Sequence, residues 1–97
     1  MAEYRISEVA KEDLIRIHQY GTKQFGEVQA DKYFNTFFEK FELIANQPYS
    51  FESAEFIKVG YRKCVCGIDT IFYRIMDNVV EIMTIIGRQD RVENLNR

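Results

Sequence analysis

The sequence predicts an α+β domain made of a short N-terminal strand, an antiparallel helical hairpin and a C-terminal, mostly antiparallel sheet of three to four strands. Two observations predict it. Through the first half, apolar residues recur at helical spacing in two segments separated by little more than Gly26. In the last third, β-branched and aromatic residues form three runs: 60–64, then Ile71-Phe72-Tyr73-Arg74-Ile75, then 79–88, broken by Cys66-Gly67 and by Met76-Asp77-Asn78. Each run carries an arginine at or near its end.

Ninety-seven residues make one domain, 1–97, of which 89–97 reads as a polar tail that orders only when docked. A chain this long buries roughly 60–65% of its unfolded surface without metal or disulfide staples. Fourteen Phe and Tyr residues supply the core.

Tyr4-Arg5-Ile6 is the first strand, ending at Ser7, whose side chain suits the N-cap of a helix. Ala10, Leu14, Ile17 and Gly21 then recur on one face, and Glu8, Glu12 and Asp13 complement the dipole of the opening turns. Gly26 closes this helix. The second runs from about Glu27 to Asn46, with Ala30, Tyr33, Phe34, Phe37, Phe38, Phe41, Ile44 and Ala45 as a broad apolar face, and Pro48 behind it forbids continuation. Such an aromatic stripe is helix-packing surface, and the short link makes the helices antiparallel neighbours.

After a patternless connection, 56–63 alternates as a strand, and Gly60 within it suggests a bulge or a close backbone approach. The last strand is apolar on both faces, with Val80, Ile82, Thr84 and Ile86 on one and Val79, Met83 and Ile85 on the other. Two helices are too few to cover both, so either the sheet curls or a partner covers it.

Charge and composition exclude several classes. No apolar run nears the roughly 18 residues of a membrane span, and the N-terminus lacks a basic-then-apolar signal, so a cytoplasmic location and no membrane partner are expected. The net charge of −2 argues against affinity dominated by phosphate, and direct nucleic-acid binding is not expected. The sum hides an asymmetry. Residues 1–55 hold six Lys/Arg against ten Asp/Glu, while 56–97 hold seven against five, so the sheet half is the basic half. Cys64 and Cys66, two apart in a strand, read as small core residues, and His18 as structural. No metal ligand set, cofactor motif or catalytic constellation is present, so neither metal nor cofactor is expected. What remains is a set of cations, Arg62, Arg74, Arg88 and Arg91 with Lys58 and Lys63, able to grip carboxylate or phosphate.

The order Ser7, Ala10, Asp13, Leu14, Ile17 and Tyr20, then Gly60-Tyr61-Arg62, Phe72-Tyr73-Arg74 and Val80-Glu81-Ile82, resembles the ParE branch of the RelE/ParE toxin superfamily over nearly the whole chain. The resemblance implies the toxin of a type II toxin–antitoxin module, with a ParD-like or similar cognate antitoxin as partner. RelE-like members are ribosome-dependent mRNA endoribonucleases; ParE-like members inhibit DNA gyrase instead.

The ribonuclease alternative requires a proton acceptor, a proton donor and cations on the phosphorane. Arg62 stands where the superfamily has an arginine after Gly-Tyr, yet Gln89 falls at a catalytic arginine, Leu95 near the catalytic tyrosine, and no tyrosine or histidine follows Tyr73. No catalytic residue is therefore assigned, and the chain is expected not to be an enzyme. The target contacts implied are Arg62, Arg74, Arg88 and Arg91, with gyrase as target. For the antitoxin they are Lys58, Lys63, Ile82 and Ile86.

Overall fold

The computed structural model describes residues 3–87. The expected strand, hairpin and sheet are all there, in the order β1 (Tyr4–Ile6), α1 (Glu8–Phe25), α2 (Glu27–Asn46), β2 (Glu52–Ser53), β3 (Arg62–Cys66), β4 (Asp69–Met76) and β5 (Val79–Gly87). They form one five-stranded sheet, β1-β5-β4-β3-β2, in which only the β1–β5 pair is parallel.

Local chemistry accounts for each boundary. Ser7 caps α1 by accepting from the Ala10 amide at 3.1 Å, and Gly26, at φ +88°, makes the whole turn between the helices. Helix α2 stops at Asn46, one residue before the proline's neighbour Gln47 leaves helical geometry. The β4–β5 turn is Asp77-Asn78, both in the left-handed region (φ +54° and +63°), the two-residue reversal that matches strand twist.

The hairpin lies on one face of the sheet. There Ala10, Leu14, Ile17, Phe37, Phe41 and Ile44 meet Cys64, Cys66, Ile71, Tyr73, Val80, Ile82 and Ile85 in one core. Edge-on aromatic contacts bind it, Phe38 to Phe41 at 5.4 Å and Tyr33 to Phe37 at 5.1 Å. Both cysteines are buried and unbridged. Desolvation raises both thiol pKa values.

Three sequence expectations are corrected. The strand expected over 56–63 begins only at Arg62; residues 54–61 instead make a closed turn, with the Ala54 amide donating to the Tyr61 carbonyl at 2.8 Å and the Tyr61 amide to Lys58 at 3.0 Å. Gly60 is accordingly a turn residue at φ +86°, not a bulge.

The bulge is in β5. Phe72 pairs with Thr84 but Tyr73 with Ile82, so Met83 is the extra residue and the faces exchange across it. Hence Val80, Ile82 and Ile85 all enter the core, whereas simple alternation sets Ile85 apart from the other two.

Helix α1 closes the edge of β5 where β1 runs out. The Ser7 amide continues the ladder to the Ile82 carbonyl (3.0 Å), and its hydroxyl donates to Met83 (2.8 Å). The Asp13 carboxylate accepts from the Ile85 amide (2.9 Å) and the Thr84 hydroxyl (2.8 Å). A helix and its cap thus take the place of a missing strand over residues 82–85 and satisfy that stretch of the edge.

Candidate functional site

The described cations predicted as contacts do not share one environment. Arg74, half-buried on β4, donates from Nε to Glu81 of β5 at 2.8 Å, and the two are register partners. Its charge is matched within the sheet. Lys63 lies 3.4 Å from Glu52 across β2–β3 and 5.3 Å from the centre of the Phe56 ring. Lys58 is exposed in the 54–61 turn.

Two apolar positions predicted for a partner separate. Ile86 is half-buried, but Ile82 is fully buried in the core, which removes it from any surface a partner could reach. Arg88 and Arg91 lie outside the described residues, as do Gln89 and Leu95.

Arg62 is the informative member. It donates from Nη1 to the Phe51 carbonyl at 2.7 Å, reaches the Tyr49 carbonyl at 3.5 Å, and its guanidinium carbon lies 5.3 Å from the centre of the Tyr49 ring. Its hydrogen-bond partners are thus backbone carbonyls of the segment after α2 rather than an acidic side chain. Next to it on β4 is its register partner Tyr73, whose hydroxyl donates to the Pro48 carbonyl at 2.6 Å while its ring meets Phe51 edge-on. Residues 48–51, a strap between α2 and β2, are therefore held at three carbonyls by two side chains of the sheet.

Tyr73 is fully buried, and desolvation pushes its pKa up to about 12, with Arg62 pulling the other way and Cys64 adding to the rise. At neutral pH its hydroxyl keeps the proton it gives to Pro48. Tyr49, by contrast, is 69% exposed, and in the adjoining turn Phe56 is 71% and Val59 85% exposed. The strap and turn thus display apolar groups from an ordered backbone, beside Arg62 and Lys63.

Sequence reasoning identified Arg62 but missed Tyr73, Pro48 and Tyr49 as its associates. A tyrosine inside a strand gives no hint that its hydroxyl crosses to a loop 25 residues away. In the sequence Pro48 reads as a helix terminator and Tyr49 as the start of a patternless connection, so neither signals this contact.

At the far end of the same hairpin, the Tyr33 hydroxyl lies 2.6 Å from Asp69 and 2.9 Å from the Cys66 carbonyl, tying α2 to the β3–β4 turn. His18 contacts Asp31 at 2.7 Å and Phe34 edge-on, joining the two helices, which agrees with its structural reading. Among the described residues no three His, Cys, Asp or Glu side chains group as metal ligands. No helix among them is long and apolar enough to cross a membrane.

Comparison with known proteins bears on what this arrangement does. The family described as "ParE toxin of type II toxin-antitoxin system, parDE" matches residues 4–92. Toxin ParE1 of Caulobacter vibrioides is 36% identical over 75 residues, covering 77% of this chain and 78% of the relative. Among solved structures, the chromosomal ParDE toxin–antitoxin system of P. aeruginosa superposes with a TM-score of 0.79 at 16% identity, over 90% of this chain and 96% of that one. The toxin–antitoxin complex RelBE2 of Mycobacterium tuberculosis gives 0.64 at 17% identity, over 90% and 98%. These two likenesses establish the shared fold.

Proposed function

The chain belongs to the ParE toxin family of type II toxin–antitoxin systems, and from that membership we propose that it inhibits DNA gyrase in the cytoplasm, blocking replication and growth until a ParD-like cognate antitoxin neutralises it. The observation that carries the reading is the family match across residues 4–92, joined to the chemistry around Arg62. A ribonuclease would present its arginine and a tyrosine to a phosphate. Here Arg62 is turned to the Phe51 carbonyl, and Tyr73 is buried with its hydroxyl bound to Pro48. With Gln89 at the position of the ribonuclease's catalytic arginine and Leu95 near that of its tyrosine, this supports an inhibitor that works by binding over an enzyme that cleaves RNA.

Contacts with gyrase fall to the surface that Arg62 organises together with Arg88 and Arg91; Arg74, already paired with Glu81, contributes less. An acidic, amphipathic antitoxin segment would meet the basic sheet half at Lys58, Lys63 and Ile86, burying about 1,500 Å² or more, as obligate pairs do.

The test sets purified toxin against gyrase-dependent supercoiling and, separately, against ribosome-bound mRNA. Loss of supercoiling with intact mRNA is expected, and charge reversal at Arg88 or Arg91 should weaken the inhibition. Codon-phased mRNA cuts, with toxicity persisting in cells that carry an altered gyrase, would overturn the assignment.

A further inference from the structure

We propose that Arg62 and Tyr73 form a two-point clamp that shapes the 48–51 strap into the surface the target recognises, so that Arg62 is a positioning residue and the exposed Tyr49 makes the contact. This rests on the reading of the chain as a toxin that acts by binding gyrase.

The clamp is built from one buried and one half-buried side chain. Tyr73 is fully buried and delivers one hydrogen bond, to Pro48; Arg62 is half-buried and delivers its strongest, to Phe51. Between those two anchor points Tyr49 projects outward, its ring against the Arg62 guanidinium. An exposed aromatic on an irregular segment ordinarily loses much of its contact energy to the ordering of the loop on binding. Here the segment is ordered beforehand, since carbonyls 48 and 51 are fixed and the strap runs directly into the β2–β3 pairing of Glu52 with Lys63. A rigid aromatic beside a cation is the composition of an interface anchor.

Direct contact between Arg62 and the target would use the guanidinium N–H groups that do not serve the Phe51 carbonyl, and would make binding depend on Arg62 whatever the strap does. A contact through Tyr49 makes binding depend on the strap instead. The two possibilities also differ in what Tyr73 does. Being buried, Tyr73 touches no partner, so any effect of its hydroxyl on target binding must pass through the strap.

The experiment compares wild type with Tyr73→Phe, Arg62→Lys, Arg62→Ala and Tyr49→Ala, each shown folded by thermal melting well above the assay temperature. Three readouts are taken: the concentration that half-inhibits gyrase supercoiling, growth arrest on expression in cells, and amide exchange across 47–53. The clamp predicts that Tyr73→Phe and Arg62→Lys each raise the half-inhibiting concentration by about threefold to tenfold, the worth of one hydrogen bond. Exchange in the strap should rise in step. Tyr49→Ala should lose at least as much inhibition while leaving exchange at the Phe51 and Glu52 amides nearly unchanged.

If Tyr73→Phe inhibits like wild type while Arg62→Ala does not, Arg62 meets the target itself and the clamp is wrong. If Arg62→Lys retains full inhibition, charge rather than carbonyl geometry matters, and the proposal fails again. Should wild type leave gyrase untouched, the gyrase reading falls alone; the same order of variants in growth arrest then decides the clamp.

Discussion

Asp13 of α1 and Ile85 of β5, 72 residues apart in sequence, are joined by one carboxylate oxygen, Oδ2, which accepts from the Ile85 amide at 2.9 Å and from the Thr84 hydroxyl at 2.8 Å. The same side chain pairs through its other oxygen with Arg16, one turn along the helix, at 3.2 Å. Asp13 thereby fixes the strand segment just beyond the Met83 bulge, where the core face is re-established at Ile85. Replacing it by alanine strands a strand amide against a helix. Asp13→Ala is expected to lose about 3 kcal/mol in urea unfolding, and Asp13→Asn, which keeps one acceptor, about half that. A loss below about 0.5 kcal/mol for the alanine variant would mean that water replaces the carboxylate and that the bulge is held by packing alone.

Gly67 sets a second measurable limit. It sits at φ +60° in the β3–β4 turn, and a Cβ there would lie 2.6 Å from Tyr33 Cε1 and 2.7 Å from the Tyr33 hydroxyl oxygen. Gly67→Ala must therefore push the ring away and break its bonds to Asp69 and the Cys66 carbonyl, besides straining the backbone. We expect a melting temperature lower by at least about 10 °C, corresponding to roughly 2 kcal/mol for a domain of this size. Gly26→Ala, at φ +88° and ψ 164° with nothing within 4 Å of an added Cβ, should cost about 1–3 kcal/mol from the backbone alone. A Gly67→Ala loss below about 1 kcal/mol would show that Tyr33 yields without penalty.

Alkaline pH should unfold the protein through its buried phenols. Tyr73 is raised to about 12 by burial from an ordinary 10.0, and Tyr33 is raised too, by burial first and then by the Asp69 hydrogen bond. A group whose folded pKa lies above its unfolded value contributes stability that is complete below the unfolded value and is lost as pH climbs through the folded one. For Tyr73 that window runs from about 10 to about 12, and its contribution is on the order of 2 kcal/mol. Tyr73→Phe should flatten the fall in stability across this window in a pH series of urea melts. An unchanged slope would remove Tyr73 from the account.

The thiols offer a test of core integrity. Burial raises both Cys64 and Cys66, and Lys40 only partly offsets it, so neither is a ready nucleophile at neutral pH. Native protein should react with a thiol reagent about a hundredfold more slowly than a free cysteine, and denaturant should release both groups together. Rapid labelling of one thiol under native conditions would mean that β3 opens locally.

The sequence by itself determined the element types and most of their boundaries, because the deciding forces are local. Apolar spacing of 3.6 marks α1 and α2, Ser7 and Pro48 bound them, and Asp77-Asn78 makes its own turn whatever surrounds it. Family membership was legible on similar grounds, in the order of short motifs along the chain. Contacts decided the rest. The run at 56–63 has a strand's alternation, yet 54–61 closes into a turn through its own backbone bonds, and pairing starts only where Arg62 finds Tyr73. In β5 the bulge at Met83 brings Ile85 into the core beside Ile82, an exchange of faces that periodicity does not reveal, at the strand segment to which Asp13 reaches across from α1. Arg62 was visible as a cation; what it grips was not, since the Phe51 carbonyl, the Tyr49 ring and the buried Tyr73 are brought to it only when strand, loop and helix end meet in three dimensions.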